Sequence, residues 1–374
     1  MHILLSPNAF KNSLPADEAA EAVKCGLALS EQAFTIVSCP VGDGGDGTGK
    51  LLIQHLNADK IVAETVDPLF RKIIANFGFM REEKTAIIEL ADASGIRLLQ
   101  PSEYNPLLAN TYGTGLLIKK ALDIEAKKII LCIGGSATVD GGTGMLQALG
   151  IRFLDNEKNE IKDLPKGLER LADMEITGLD ERIAQTEIII LCDVKNKLLG
   201  KEGAAAVFGP QKGATDSDIV FLENGLSVFN KLTAAKTGIN MSNLAHSGAA
   251  GGAAAALCAF CNAKAVDGIT TFLDLIEYDK YLEKADAVIT GEGSLDRQTL
   301  QGKAPFGVAA AAKKLNKKVI GIAGQIPEKD KPLLSSVFDE MININPPGTP
   351  IEIAIRDTKK NLINTGKLLA NLIF

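Results

Sequence analysis

The feature that most constrains this chain is a repeated junction, in which a short apolar run breaks off into glycine and polar residues. Lys127 to Ile133 runs into Gly134-Gly135-Ser136, and Glu187 to Leu191 runs into Cys192-Asp193. Ala285 to Ile289 runs into Thr290-Gly291-Glu292-Gly293, and Lys318 to Ala323 into Gly324-Gln325. Short apolar runs bounded by such punctuation read as buried strands followed by loops. In open parallel α/β sheets the ligand crevice lies beyond the carboxyl ends of the strands, so the polar loops fall where that rule places chemistry.

The N-terminus opens in the same manner. His2 to Leu5 is a strand ending in Ser6-Pro7, Ala16 to Leu29 has helical spacing after Pro15 with Asp17 in its first turn, and Thr35 to Pro40 is a second strand. That order begins a βαβ unit and predicts a parallel sheet. Lys72 to Leu99 breaks the alternation: Ile73 to Phe79 and Thr85 to Leu90 flank the charged turn Arg81 to Lys84, a hairpin signature that assigns an antiparallel piece to a different domain. From Ala285 the βαβ pattern returns, so one domain is expected from both chain ends with the middle inserted. The length of 374 residues agrees with two domains at about 100–200 residues each.

Composition removes several function classes. The formal net charge is −6, Trp is absent and Tyr numbers 4, which argues against a nucleic-acid or anionic-membrane surface and against aromatic stacking platforms. A small anionic substrate stays compatible, because a few lysines and backbone N–H groups can hold one. Six cysteines lie without paired spacing, and three histidines (His2, His55, His246) are not at ligand spacing. Reduced, buried cysteines suited to a reducing compartment are expected, with Cys258-Ala-Phe-Cys261 structural rather than part of a zinc site. The N-terminus carries no signal-peptide pattern, so a cytoplasmic setting is expected. Gly248 to Ala265 is small rather than greasy and reads as a buried, closely packed helix instead of a membrane span.

Val41-Gly42-Asp43-Gly44-Gly45-Asp46-Gly47-Thr48 sets two carboxylates among four glycines. Glycine lets N–H groups converge on an anion, and the carboxylates suit Mg²⁺ or a substrate hydroxyl; a tight turn with solvated Asp residues is the plainer alternative. Gly44-x4-Gly49-Lys50 mimics a P-loop, but Leu51 occupies the Ser/Thr position, and the reading is rejected. Gly134, Gly135, Ser136 and Thr138 follow a strand and open a helix, which makes an anion cradle or a helix cap. The Ile133–Met145 stretch lacks the GxGxxG order, so it does not indicate a dinucleotide fold. Asp193 at the end of an apolar strand suits a base that orients a hydroxyl, a metal ligand, or a simple cap. Lys212, in Phe208-Gly-Pro-Gln-Lys-Gly-Ala214, and Lys11, beyond the first strand, are each a phosphate binder or a solvated lysine. Gly291 and Glu292 again join backbone donors to a carboxylate.

Taken in order, these segments resemble the glycerate kinase family of the bacterial type that is unrelated to P-loop kinases. The resemblance runs over Pro7–Ala16, Val41–Thr48, Asn110–Gly115, Ile133–Gly150, Cys192–Gly200, Phe208–Ala214, Ser247–Gly252 and Ile289–Val308. It implies an α/β fold of two domains: a Rossmann/flavodoxin-like parallel-sheet domain of residues 1–65 plus 280–374, an inserted mixed α/β domain of residues 66–279, and an active site in the cleft between them. It further implies transfer of the ATP γ-phosphoryl group to D-glycerate with Mg²⁺, giving 2-phosphoglycerate, with 3-phosphoglycerate as the alternative product. A non-catalytic sugar-acid binding protein is the rival of a different class. Within this resemblance Asp193 and Lys11 are the catalytic candidates. Asp43, Gly44, Gly45, Gly134, Gly135, Ser136, Thr138, Lys212, Gly291 and Glu292 are the substrate or phosphate contacts, with Asp43 and Glu292 on the metal. Asn8-Ala9 stands where the family usually shows Asp-Ser, Asp46 where it shows Glu, Val139 where it shows Asn and Ser294 where it shows Arg.

Overall fold

A computed structural model describes residues 1–30 and 32–372. The chain divides into two compact units, residues 1–43 with 267–374 and residues 44–266. The strands, in chain order, are β1 (His2–Leu5), β2 (Thr35–Ser38), β3 (Asp59–Val66), β4 (Lys72–Met80), β5 (Thr85–Glu89), β6 (Lys128–Cys132), β7 (Arg152–Leu154), β8 (Asp173–Glu175), β9 (Glu187–Cys192), β10 (Lys264–Asp267), β11 (Ala287–Ser294), β12 (Lys318–Gln325) and β13 (Glu340–Asn343).

The first unit is an α/β layer structure around one parallel sheet in the order β13-β12-β11-β1-β2. Counted within the unit this is the flavodoxin-like order, and its reversal falls between β1 and β11. The helices Ala16–Ala28 and Ile351–Leu372 cover one side, packing Val23, Leu27, Leu362 and Leu369 onto Ile3, Leu5, Ile289 and Ile322. The first of them begins after Pro15, whose fixed φ suits a helix start.

The second unit holds a six-stranded mixed sheet, β10-β9-β6-β5-β4-β3. Strands β5, β6 and β9 are parallel, whereas β3–β4 and β4–β5 are antiparallel. The hairpin expected around Arg81–Lys84 is β4–β5; its further partner β3 carries no equally clear turn signal in the sequence. A separate two-stranded piece joins β7 to β8. The apolar core of this unit runs from Phe77 and Ile88 through Ile129, Leu131 and Ile190 to Phe229 and Leu257.

Three local expectations change. The loop expected from Thr290 is strand, because β11 extends to Ser294 by pairing with β12 as far as Gln325. The helix expected over Gly248–Ala265 is confined to Ala253–Phe260, preceded by a turn in which Ala250 and Gly251 take left-handed φ of 49° and 69°, and followed by β10. The cysteines are all free thiols, but Cys25 is exposed and Cys258 half-buried. Among the described residues no helix is long and apolar enough to cross a membrane.

Candidate active site

In the first unit, the carboxyl ends of β1, β2 and β11 bring Asn8, Asp43 and Glu292 together at the reversal in strand order. Asp43 is only 3% exposed and Glu292 4%. Two donors reach Asp43 Oδ2: Asn8 Nδ2 at 3.2 Å, and the Ala304 N–H, at 3.3 Å, which opens the helix Ala304–Lys314. A carboxylate there is favoured by the positive end of the helix. Glu292 Oε1 accepts from Thr299 Oγ1 at 3.3 Å. Burial lifts the Glu292 carboxyl to about 7; Asp43 adds to the rise, while Lys303 and Lys11 oppose it. The structure thus gathers Lys11, Asp43 and Glu292, as the sequence suggested, and adds Asn8, Thr299 and Lys303.

Gly291 has a different place from the one expected. It lies inside β11, its carbonyl accepts the Asn8 N–H at 2.8 Å, and a Cβ on it would fall 1.8 Å from the Ile322 carbonyl oxygen. Its lack of a side chain serves strand packing and sets the loop of Asn8.

Among the described residues no group of three or more His, Cys, Asp or Glu side chains is arranged to hold a metal ion. Mg²⁺ in kinases needs only one or two carboxylates, since phosphates and water complete its octahedron. Asp43 and Glu292, of which Asp43 adds to the cost of ionising Glu292, fit that donor set.

In the second unit, the Gly44–Gly47 turn and the Gly134–Ser136 turn lie against each other. The Gly134 N–H donates to the Gly44 carbonyl at 2.8 Å. A Cβ on Gly134 would sit 2.3 Å from Gly45 Cα, and one on Gly44, whose φ is +95°, 2.5 Å from the Leu191 carbonyl oxygen. These glycines, read from sequence as an anion cradle, are required by backbone-to-backbone packing over the ends of β6 and β9.

Glu89, at the end of β5, was not singled out in the sequence. Its carboxylate accepts from the Gly47 and Lys50 N–H groups at the start of the helix Thr48–His55, the latter at 3.2 Å. Burial holds its carboxyl well above the usual range, and the neighbouring Asp46 adds to this. A Cβ on Gly49 would stand 2.9 Å from Glu89 Oε2. The spacing that imitates a P-loop therefore has an internal cause: the glycine admits a carboxylate of the protein, and that carboxylate takes the N–H groups.

The helix Thr143–Ala148 that follows the Gly134 turn is likewise satisfied from within. Fully buried Asp140 accepts from the Thr111 N–H and hydroxyl at 2.8 and 2.7 Å and from the Gly142 and Gly144 N–H groups at 3.0 and 3.2 Å. The expected use of this helix N-terminus on a substrate anion is corrected: its donors go to Asp140 and, from the Met145 N–H, to Thr111 Oγ1 at 3.0 Å. Lys212, 4% exposed, donates to Ser136 Oγ and to the Thr138 carbonyl, both at 2.7 Å. Burial lowers its pKa to about 7, with Asp140 opposing. Thr138 Oγ1 is buried with no hydrogen-bond partner. Asp193, half-buried, is the first residue beyond β9.

A model of the glycerate kinase family matches residues 3–374. The chain is 40% identical over 370 residues to a glycerate kinase of Bacillus subtilis (strain 168), covering 99% of this chain and 97% of that protein. It is 41% identical over 328 residues to the glycerate 2-kinase of Escherichia coli (strain K12), covering 88% and 86%. A crystal structure of a protein assigned as glycerate kinase 2 from Salmonella typhimurium LT2 superposes with a TM-score of 0.82 at 39% identity, covering 100% of this chain and 98% of that one. With carboxylates and lysines collected at strand ends and a match that runs almost from end to end, the chain belongs to the glycerate kinase family.

Proposed function

We propose that this protein is a glycerate kinase that transfers the γ-phosphoryl group of ATP to the 2-hydroxyl of D-glycerate, giving 2-phosphoglycerate and ADP. The observation that carries the reading is the similarity to named glycerate kinases over residues 3–374. The chemistry of the side chains agrees with it, since phosphoryl transfer asks for positioning and charge neutralisation more than for covalent help.

Asp193 orients the glycerate hydroxyl and accepts its proton as the new O–P bond forms and the bond from the γ-phosphorus to the bridging oxygen breaks, its electron pair leaving with ADP. Lys11 neutralises the glycerate carboxylate or the transferring phosphoryl group. Ser136, Thr138 and the Gly135 backbone present polar atoms to an anionic group, and Lys212 stands behind that loop as its charge and its brace. Asp43 and Glu292 would hold Mg²⁺, which would supply charge neutralisation on the phosphates.

The test is an ATP-coupled assay with D-glycerate, with the product resolved by phosphorus NMR. ADP release dependent on D-glycerate and a 2-phosphoglycerate resonance are expected. Tight binding of D-glycerate with no ADP release above background would favour a sugar-acid binding protein, and a 3-phosphoglycerate resonance would move the transfer to the other hydroxyl.

A further inference from the structure

The loop that carries Asp193 is held in place by a short segment 53 residues further along the chain. Beyond β9 the backbone runs through Asp193 and Val194 to Gly203 with little regular structure. The Leu198 N–H donates to Ser247 Oγ at 3.0 Å, and the Gly248 N–H donates to the Asn196 carbonyl at 2.9 Å. The Gly200 N–H donates to Glu223 Oε1 at 2.6 Å. His246 reaches the residue next to Asp193: its Nδ1 lies 2.7 Å from the carbonyl oxygen of Val194.

A carbonyl has no proton to give, so Nδ1 carries the hydrogen and donates, which fixes the tautomer of the ring. His246 also takes a left-handed backbone conformation, with φ of 57°. Residues with a Cβ rarely adopt that region, and His, Asn and Asp tolerate it better than most. The conformation is what turns the imidazole toward Val194 while the next residue, Ser247, holds Leu198.

We propose that His246 is a positioning residue for phosphoryl transfer: its Nδ1–H, held on the Val194 carbonyl, sets the orientation in which Asp193 meets the glycerate hydroxyl. The inference rests on the reading of Asp193 given above. A misplacement of a reacting group by about 1 Å costs up to about 10²-fold in rate, so a single hydrogen bond at this position has a measurable consequence without touching the substrate.

Four variants of the full chain test it in one steady-state assay: His246→Asn, His246→Asp, His246→Gly and Asp193→Asn. Asn tolerates the left-handed backbone and offers an amide N–H near the position of Nδ1, so His246→Asn is expected to keep kcat within about threefold of wild type. Asp has the same shape but presents an acceptor to an acceptor, and Gly relieves the backbone while removing the donor. Both are expected to lower kcat at least about tenfold with KM for ATP little changed. Thermal unfolding of the Gly variant close to that of wild type separates positioning from loss of fold. Wild-type turnover in His246→Gly beside an inactive Asp193→Asn overturns the role of His246 alone. Equal impairment of the Asn and Asp variants overturns it too, because the donor would then be irrelevant. Wild-type turnover in Asp193→Asn overturns the reading of Asp193, and the inference with it.

Discussion

Lys212 Nζ lies 2.7 Å from the Ser136 hydroxyl and 2.7 Å from the Thr138 carbonyl, so a fully enclosed lysine ties the turn after β6 to the segment Pro210–Lys212. The charge that a phosphate-binding reading would place in solvent is instead spent within the protein, one atom behind the hydroxyl that a substrate could meet. Replacing Lys212 with Met leaves Ser136 Oγ and the Thr138 carbonyl without this donor. Each group left unsatisfied in a buried site costs about 1–3 kcal/mol, and chemical denaturation should register a loss of that order together with lower turnover.

The same residue makes a pH prediction. Its pKa is lowered to about 7 in the folded chain from 10.5. Between those values the unfolded chain binds more protons than the folded one, so stability from this residue rises with pH from about 7 and is fully gained above 10.5. Urea unfolding of wild type and Lys212→Met at pH 7 and pH 9, on the rising part of that window, should show a gain with pH that is larger in wild type. An equal gain in both would mean that Lys212 keeps an ordinary pKa.

Glu292 works in the opposite direction. Its carboxyl is raised from 4.5 to about 7 by burial first and by Asp43 next. The folded chain keeps a proton that the unfolded chain has lost, so this stability is complete below 4.5 and disappears as pH rises through about 7. Glu292→Gln keeps the neutral shape and should flatten that decline. In the kinase assay the same variant should raise the Mg²⁺ concentration needed for half-maximal rate by at least about tenfold, the loss that even an outer-shell partner of a metal can bring.

The glycine turns allow a comparison in which one position has room and another has none. Gly47 has φ of +91° but no atom within 4 Å of an added Cβ, whereas a Cβ on Gly134 meets Gly45 Cα at 2.3 Å. Gly47→Ala should cost about 1–2 kcal/mol from backbone strain alone. Gly134→Ala forces one of two backbones to move, at about 1–3 kcal/mol for overpacking, and should also lower activity because the displaced turn carries Ser136. Similar activity in the two variants would show that the contact with Gly45 is not needed for the chemistry.

How far the sequence could be read follows from the range of each interaction. The βαβ opening, the Arg81–Lys84 hairpin and the strands β6 and β9 depend on local periodicity and turn residues, and they lie close to where the reading put them. The fold class was legible for the same reason. Glu89 was not, because its importance comes from contact with Gly47 and Lys50 some 40 residues away. Asp140 and Thr111 were missed likewise: an Asp after glycine-rich sequence resembles a solvated turn until four donors are seen converging on it. The end of β11 depended on whether β12 continued beside it, which no local pattern at Thr290 reveals. Glycine was ambiguous in principle, since a backbone can be approached closely by a phosphate or by another backbone; at Gly44 and Gly134 it is the second.

Asn8 offers a last test, because it stands where the family pattern usually has Asp and its amide is now seen to donate to Asp43 Oδ2 at 3.2 Å. Asn8→Asp removes that donor and sets a carboxylate against a carboxylate beside Glu292. Two buried acids at that distance resist ionising together. In metal-free buffer at neutral pH the variant should therefore be less stable than wild type, by about 1–3 kcal/mol for the lost charge-assisted bond. Lowering the pH to about 4, where carboxyl groups begin to hold their protons, should recover part of the loss. Added Mg²⁺ should recover it too, since a cation replaces the amide as the counterpart of the two acids. Calorimetric unfolding with and without Mg²⁺ checks this directly. A variant whose deficit is the same in both buffers would show that no cation is held beside Asp43, and that the amide at position 8 does not stand in for one.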